Sequence, residues 1–559
     1  MSFLSSQAFL QQEERITRYL SPKRIILSGG TVTNAEHLLI PKPLQIDLYE
    51  PDVTALINPA DSMERAWILL DFGFEFHGGV RLLTHGVGPS HPRPGNALAE
   101  AQVRLTFGES VSEALSELGQ KGACNDHSPR CMTVPVVGLS DLSFGQTGFR
   151  FLRIELLSPD CRWTLKTAAG AFVYRDLPYQ GSFRCSDPLL NQIYDTAAYT
   201  CHLNMQNLLW DGIKRDRLVW IGDAHPEMLT IRAVFGHVDM LDESLRFARE
   251  KAPLPRFMNG MPAYSLWWLL ILRDYYMATG DDAFLAQNGE YAMALGRHMA
   301  SFVDEDGNHA LPAYFLDWPT AKTPAAEAGV HGLFILAMDA AAEMAGWLKD
   351  AEAAALFANR AAAMRRHCPD CHGAKQAMAM QALAGLRPMN EAARALADGG
   401  ARGMSTFMSY YILKVMSEGD MTAALQVLRE YYGGMLRMGA TTFWEDFHVE
   451  WLENAAPIDA PVPAGKRDIH GDFGDFCYRG LRHSLCHGWA SGPAPFLAER
   501  VLGIEIAAPG CRVIRLRPNL GDLCWAEGTF PTPYGILHVR ADQQSVTYDA
   551  PDGVTVVTK

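Results

Sequence analysis

Hydrophobic and polar residues follow a strand-like pattern in the first third of the chain. Between about residues 24 and 174, short runs rich in β-branched and aromatic residues alternate with clusters of Gly, Pro, Asn and Ser. The clearest of these predicted strands are 66–74, 80–83, 102–107, 148–157 and 163–167. Short strands separated by turn signals are typical of a β-sandwich, which we predict here. The polar segment 119–133 is predicted to be a long exposed loop.

The pattern becomes helical near Ser186. Asp187 can cap a helix, Pro188 suits its first turn, and apolar residues then recur at helical spacing. Segments of this kind continue to about residue 502 and leave room for about twelve helices. Beyond the first, the predicted helices are 227–248, 264–279, 282–303, 329–345, 350–366, 374–384, 390–397, 407–416, 421–432 and 490–501.

The end of the chain returns to a strand-like pattern. The predicted strands after Pro509 are 512–516, 535–540, 546–548 and 554–557. This tail is too short for an independent sandwich, so we expect it to pack against the helical part. The predicted domains are an N-terminal β-sandwich region, a helical domain and a C-terminal β-domain, with bounds 1–180, 181–505 and 506–559.

Composition and charge exclude several classes of protein. The 559 residues carry 49 basic and 63 acidic side chains, a net charge of −14 that disfavours binding to nucleic acid. The most apolar window, 266–272, is far shorter than the ~20 residues that span a bilayer and is predicted to be a buried helix. The N-terminus reaches charged residues before any apolar run of secretory length, so we expect no signal peptide, no membrane partner and a cytoplasmic location.

The eleven cysteines are an odd number without a disulfide-framework spacing, which favours reduced thiols in a cytosolic enzyme. Cys368 and Cys371, flanked by two histidines, could form a redox motif or half of a zinc site. Because zinc needs a second ligand pair and the chain has no second CxxC, we interpret this segment as a loop between helices. No metal site is predicted.

The densest polar cluster is the segment 210–227, which holds three Asp, one Glu, three basic residues and two Trp. Carboxylates that move protons and aromatic faces that hold a sugar ring are what a glycosidase requires. A structural alternative is that Asp223 caps the next helix, while Arg215 and Arg217 are solvated or paired.

Further candidate clusters lie later in the chain. Glu445 and Asp446 follow Trp444, and either carboxylate could face the same pocket; the alternative is a solvated acidic pair in a loop. Two other clusters set an aromatic residue beside a polar one, namely Asp317 with Trp318 and His487 with Trp489.

Together these motifs resemble those of the α-L-rhamnosidases of glycoside hydrolase family 78. An Asp, an Arg-carboxylate-Arg unit and a Trp-x-Gly-Asp unit follow one another in that family, as Asp211, 215–217 and 220–223 do here. Glu445 in Ala-Thr-Thr-x-Trp-Glu and His487 in Ser-Leu-x-His-Gly-Trp also match. The resemblance implies a multidomain chain whose catalytic domain is an α/α six-hairpin barrel, flanked by an N-terminal β-sandwich and a small C-terminal β-domain.

The resemblance also implies a reaction: hydrolysis of terminal α-L-rhamnosyl residues with inversion of configuration, without a cofactor. It makes Glu445 the general base and Asp216 the general acid. Because the family usually has Glu where this chain has Asp216, three alternatives stay open: Glu227 as the acid, Asp223 as the acid, or weak or lost activity.

The remaining roles concern a rhamnose-containing glycoside or oligosaccharide as substrate. The residues expected to bind it are Asp211, Arg215, Trp220, Asp223, Glu227, Asp317, Trp318, Trp444, His487 and Trp489. Of these, Trp318, Trp444 and Trp489 are candidates for an apolar wall against the C6 methyl group. The rival functions are a non-catalytic carbohydrate-binding protein and another six-hairpin glycosidase or phosphorylase. The oligomeric state is open, a homodimer included.

Overall fold

The computed structural model describes residues 13–91 and 100–558. The prediction about a signal peptide concerns mainly residues 1–12, which lie outside the described residues. The N-terminal β-domain, as we call the nine strands between residues 15 and 175, forms one hydrogen-bonded antiparallel network. Its strands are Arg15–Leu20, Arg24–Gly29, Thr31–Thr33, Thr54–Asn58, Trp67–Gly88, Ala101–Gly108, Cys131–Val136, Ser140–Leu156 and Cys161–Arg175.

Long bent strands replace several of the short ones that the pattern predicted. The segments 66–74 and 80–83 belong to one strand, Trp67–Gly88, because the intervening Gly78 is part of an irregularity in pairing rather than a turn. Such irregularities bend a strand without ending it. The strands enclose a core that contains Ile68, Leu82 and Trp163, and a smaller cluster contains Leu69 and Phe151.

The prediction that 119–133 is an exposed loop is wrong for its second half. Arg130 is buried, and its guanidinium donates hydrogen bonds to the carbonyl oxygens of Phe107, Glu113 and Ser116. These bonds draw the segment back onto the β-domain, and a strand begins at Cys131. The many short polar residues made the segment look exposed. Its position is determined by one buried residue, Arg130, which the composition does not reveal.

The helical part follows the predicted order. Asp187, Asp281, Asp350 and Asp420 each accept a hydrogen bond from a backbone N–H in the first turn of the helix that follows, which satisfies a donor without a helical partner. The helices are Pro188–Asn204, Ala224–Val234, Asp239–Lys251, Pro262–Thr279, Asp282–Ala300, Pro324–Trp347, Ala351–Met364, Lys375–Leu383, Met389–Ala397, Ser409–Gly419 and Met421–Arg437. Short helices also occur at Val111–Leu115 and Pro493–Phe496.

Two predicted helices are interrupted. The segment 227–248 divides at Gly236, whose φ of +80° ends the first helix. The segment 490–501 contains Pro493 and Pro495, which lack the backbone donor of a regular helix. It forms a short α-helix followed by a π-helical turn at Leu497–Val501.

The C-terminal strands form two small sheets. Strand Ser182–Cys185 precedes the helix Pro188–Asn204 and pairs with strand Trp525–Thr532. Strands Gly535–Asp542 and Val546–Asp549 complete that sheet. A second sheet contains Ile504–Ile506, Val513–Leu516 and Thr555–Val557. Buried side chains of both sheets join the hydrophobic core of the helices, as expected for a tail without its own core.

The most apolar segments of the chain are mostly buried, and its cysteines are free. The apolar window 266–272 lies in the mostly buried helix Pro262–Thr279, as predicted. Another helix, Pro324–Trp347, is long and apolar enough to cross a bilayer, but 78% of its most apolar window is buried inside the protein. All eleven cysteines are free, and Cys368 and Cys371 lie in a connection between two helices.

Candidate active site

The acidic loop, defined here as residues 211–218, follows the helix Pro188–Asn204. It closes on itself, because Asp211 donates its backbone N–H to the carbonyl of Leu218 and accepts the N–H of Leu218 on its carboxylate. The carbonyl of Asp211 in turn accepts the N–H of Gly488 at 2.7 Å. The loop therefore brings the two sequence motifs, far apart in the chain, into contact.

Glu445 and Asp216 are bridged by one guanidinium. The Nη2 atom of Arg215 is paired with Oε1 of Glu445, and its Nη1 lies 3.2 Å from Oδ1 of Asp216. Burial opposes ionisation of Glu445, but the charges of Arg215 and the nearby histidines, with the hydrogen bond of Arg215, together outweigh it and lower the pKa to about 2. Glu445 is therefore a buried carboxylate that stays ionised, whereas Asp216 is partly exposed at the rim.

Asp223 and His487 form a buried pair beside this bridge. Nε2 of His487 lies 3.0 Å from Oδ1 of Asp223, and the hydroxyl of Tyr264 donates to Oδ2. Burial lowers the pKa of His487, but the charges of Glu445 and Asp223 outweigh it and raise the value above the usual one. Asp223 makes no capping bond to the next helix, so the structural alternative for this residue is wrong.

Glu227 lies beneath the same polar groups. It is 1% exposed, its Oε1 has no hydrogen-bond partner, and a Cβ at Gly488 would stand 1.6 Å from that atom. Burial, followed by the charges of Asp223 and Asp211, raises its pKa well above the usual value. Burial is also the main cause of the raised pKa of Asp211. Burial therefore favours the neutral form of Glu227, which is packed under the glycine.

The protonated state of Glu227 predicts a pH-dependent stability. The unfolded chain releases this proton as pH rises above about 4.3, whereas the folded chain keeps it, so the residue destabilises the fold increasingly as pH rises. Glu227→Gln removes this effect. Thermal unfolding should therefore show the variant gaining about 2 °C or more relative to the parent protein between pH 5 and pH 8.

The exposed Glu290 provides a matched control, since Glu290→Gln should follow the parent protein at both pH values. A Glu227→Gln variant whose difference from the parent is the same at pH 5 and pH 8 would contradict the protonated assignment.

Lys214 ties the acidic loop to the N-terminal β-domain. Its Nζ lies 2.9 Å from Oε1 of Glu113 and 3.2 Å from Oε2 of Glu109, and it donates to the carbonyls of Leu481 and His483. All of these contacts are buried. A buried ammonium held by two carboxylates fixes the loop that carries Arg215 against the β-domain.

One group of side chains near Lys214 has the composition of a metal site. Ligand atoms of Glu109, Glu113 and His470 lie within 4.8 Å of one another. The ammonium of Lys214 already contacts both carboxylates, and the two ring nitrogens of His470 contact Ser110 and the carbonyl of His483. These contacts account for the group without a metal ion.

Aromatic side chains lead from Asp223 towards the surface. Tyr264 contacts Trp220 and Phe315, Phe315 contacts Trp318, and Trp318 stacks on the exposed Phe476. Consecutive ring centroids lie 5.2–6.1 Å apart. Trp220 and Trp318 are partly exposed and offer apolar faces along this row of aromatic side chains.

Other predicted site residues have structural contacts. Trp444 is 1% exposed in the core, whereas Trp489 lies beside His487 and donates its indole N–H to the carbonyl of Glu445. The carboxylate of Asp317 accepts hydrogen bonds from Thr320 and Ser405. Asp446 is buried rather than solvated and contacts His448.

Sequence reasoning missed the residues of the β-domain that reach the site. Glu109 accepts the N–H of Leu485 at 2.7 Å, and His127 contacts Asp216. For Glu109, the sequence gives only a weak signal, namely a glutamate next to an apolar strand. Nothing in the local sequence distinguishes His127 from other polar loop residues.

Comparison with known proteins gives a family for part of the chain. Residues 178–371 match a family model described as the bacterial alpha-L-rhamnosidase six-hairpin glycosidase domain. A protein of Formosa agariphila named alpha-L-rhamnosidase is 32% identical over 196 residues, which are 35% of this chain and 19% of that protein. The resemblance seen in the motifs is therefore confirmed for this segment, which ends before Glu445 and His487.

Solved structures share the fold over a longer range. The GH78 family rhamnosidase of Bacillus sp. GL1 superposes with a TM-score of 0.72 at 21% identity, covering 94% of this chain and 55% of that chain. A rhamnosidase from Klebsiella oxytoca with rhamnose bound gives a TM-score of 0.68 at 19% identity, covering 88% of this chain and 96% of that one. The chain thus spans about half the length of the Bacillus protein and a fifth of the Formosa protein. At these identities the structural likeness establishes the fold alone.

Proposed function

We propose that this chain, whose residues 178–371 match the family model of the bacterial α-L-rhamnosidase six-hairpin glycosidase domain, is a glycoside hydrolase that removes terminal α-L-rhamnosyl residues with inversion. The observation that carries the proposal is the bridge of Arg215 between a buried, ionised Glu445 and a partly exposed Asp216. Inverting glycosidases hold two carboxyls ~6.5–9.5 Å apart, with room for a water molecule. A guanidinium between the two carboxylates is compatible with that separation.

Glu445 is the general base in this proposal. It must be ionised to take a proton from water, and its pKa of about 2 keeps it so at every pH at which the protein is expected to be folded. The backbone N–H of Ser484 and the guanidinium of Arg215 hold its two oxygens in place. Water attacks the anomeric carbon as the base accepts its proton.

Asp216 is the general acid, because the leaving group departs towards solvent and Asp216 is the carboxyl at the rim. The raised pKa of Glu227 favours its neutral form, but the residue lies under Gly488, and the charges that act on it come from Asp223 and Asp211 rather than from Glu445. That position suits a proton donor to a sugar hydroxyl on the floor of the site. Both carboxylate oxygens of Asp223 contact other side chains, those of His487 and Tyr264. Asp223, like Glu227, is therefore assigned a role in binding the sugar.

The sugar would lie over Asp211, Asp223 and His487, with a partly exposed aromatic face beside its C6 methyl group. Trp318 fits that role better than Trp444, which is in the core. A neutral sugar needs no cationic pocket, and Arg215 is balanced by Glu445. This balance favours hydrolysis over phosphorolysis, which needs a free basic group for phosphate. The eleven free thiols support a cytoplasmic location.

The test is release of nitrophenol from 4-nitrophenyl α-L-rhamnoside. The matched control substrate is the α-L-mannoside, which differs by one hydroxyl on C6 and should react more slowly if an apolar wall faces that carbon. Absence of hydrolysis of the rhamnoside at any pH, together with binding of rhamnose, would favour the carbohydrate-binding alternative.

A further inference from the structure

The N-terminal β-domain touches the rim of the site through one histidine. His127 lies on the 119–133 segment, far from the acidic loop in sequence. Its Nδ1 atom is 2.6 Å from the backbone N of Asp216 and 2.9 Å from Oδ1 of the same residue. One ring nitrogen therefore contacts both the backbone and the carboxyl group of Asp216.

Further hydrogen bonds join the segment that carries His127 to the loop that carries Asp216. Arg217 donates hydrogen bonds to the carbonyls of His127 and Gln146, and the hydroxyl of Ser128 also donates to Gln146. His127, Asp216 and Arg217 have φ values of +63°, +56° and +55°. Residues other than glycine seldom adopt this left-handed conformation, and it persists only where the surroundings impose it. The two segments are thus fitted to each other.

The chemistry of the ring suits a group that changes its protonation state. An unprotonated Nδ1 has one lone pair, which can accept either the N–H of Asp216 or the proton of a neutral carboxyl. A protonated Nδ1 donates to the carboxylate instead. The other charged group facing Oδ1 among the described contacts is Arg215, which can donate only. His127 can therefore contact Asp216 as an acceptor or as a donor, whereas Arg215 can only donate.

We propose that His127 is a positioning residue for Asp216, so that the N-terminal β-domain completes the active site of the barrel. The inference rests on the proposed function, in which Asp216 protonates the leaving group. It requires no covalent bond to His127 and no contact between His127 and the sugar.

The test compares His127→Ala and His127→Asn with the parent protein on two substrates. Methyl α-L-rhamnoside has a poor leaving group that needs the acid, whereas 2,4-dinitrophenyl α-L-rhamnoside departs without much assistance. His127→Ala should lower kcat on the methyl glycoside by about 10-fold or more and on the dinitrophenyl glycoside by less than about 3-fold, with KM changed little. His127→Asn should recover part of the loss, because its Oδ1 can accept the same N–H.

His237→Ala is the matched control, since the side chains of His127 and His237 are 45% and 48% exposed and His237 pairs with an acid outside the site. An equal loss on both substrates, or no loss on either, would overturn the inference while the proposed function stands. If the parent protein hydrolyses neither substrate, the proposed function fails and the inference with it.

Discussion

Glu445→Gln is expected to lower kcat on 4-nitrophenyl α-L-rhamnoside by about 10²- to 10⁴-fold with little change in KM. The reason is that the amide cannot take the proton of the attacking water, which is the role proposed for this carboxylate. The amide oxygen still accepts a hydrogen bond from Arg215, but the buried guanidinium loses the closer of its two carboxylate partners. Because removing one partner of a buried ion pair is destabilising, thermal unfolding must be measured beside the kinetics.

Two further variants make this result interpretable. Glu445→Asp keeps the charge beside Arg215 but withdraws the carboxylate by one methylene, so it should fold well and still lose most of its activity. Asp446→Asn changes the adjacent acid, which contacts His448 instead of Arg215, and should retain most of the activity. A folded Glu445→Gln variant with the turnover of the parent protein would show that the base is another residue.

Asp216→Asn is expected to cause the second large effect, and its size should depend on the leaving group. On methyl α-L-rhamnoside, kcat should fall by about 10²- to 10⁴-fold, because the departing alkoxide needs a proton. On 2,4-dinitrophenyl α-L-rhamnoside the loss should be much smaller. Steady-state kinetics on the two substrates give both values, and the partly exposed position of Asp216 makes a folding defect a minor concern.

Glu227→Gln is the comparison that decides between the two candidate acids. As a binding residue on the floor of the site, Glu227 should affect both substrates alike. If Glu227→Gln shows the dependence on leaving group and Asp216→Asn does not, the acid is Glu227 and the assignment by position is wrong.

The sequence predicted the site best where its residues are close together in the chain. Asp211, Arg215 and Asp216 lie on one short loop, so their spacing made them one candidate cluster, and the resemblance supplied their predicted roles. The strand and helix order was also predictable, because periodicity is a local property. The broken helix at Gly236 was missed, since the apolar pattern continues through it.

Contacts between distant segments could not be predicted in this way. Asp317 is predicted from the sequence to bind sugar, and the hydrogen bond that its carboxylate accepts from Ser405, 88 residues away, was not predictable. Trp444 has the same composition signal as Trp318 but is buried by its neighbours. The ion pairs of Lys214 and the contact of His127 depend on how the β-domain packs on the barrel, and no local pattern encodes that packing.

The most direct test of the account is ¹H NMR of the sugar first released from an α-L-rhamnoside by the unmodified protein. Direct displacement by water on a base such as Glu445 predicts that β-L-rhamnose appears first and that the α anomer grows in later by mutarotation. Initial release of α-L-rhamnose would require a covalent intermediate and would contradict the assignment of the two carboxylates.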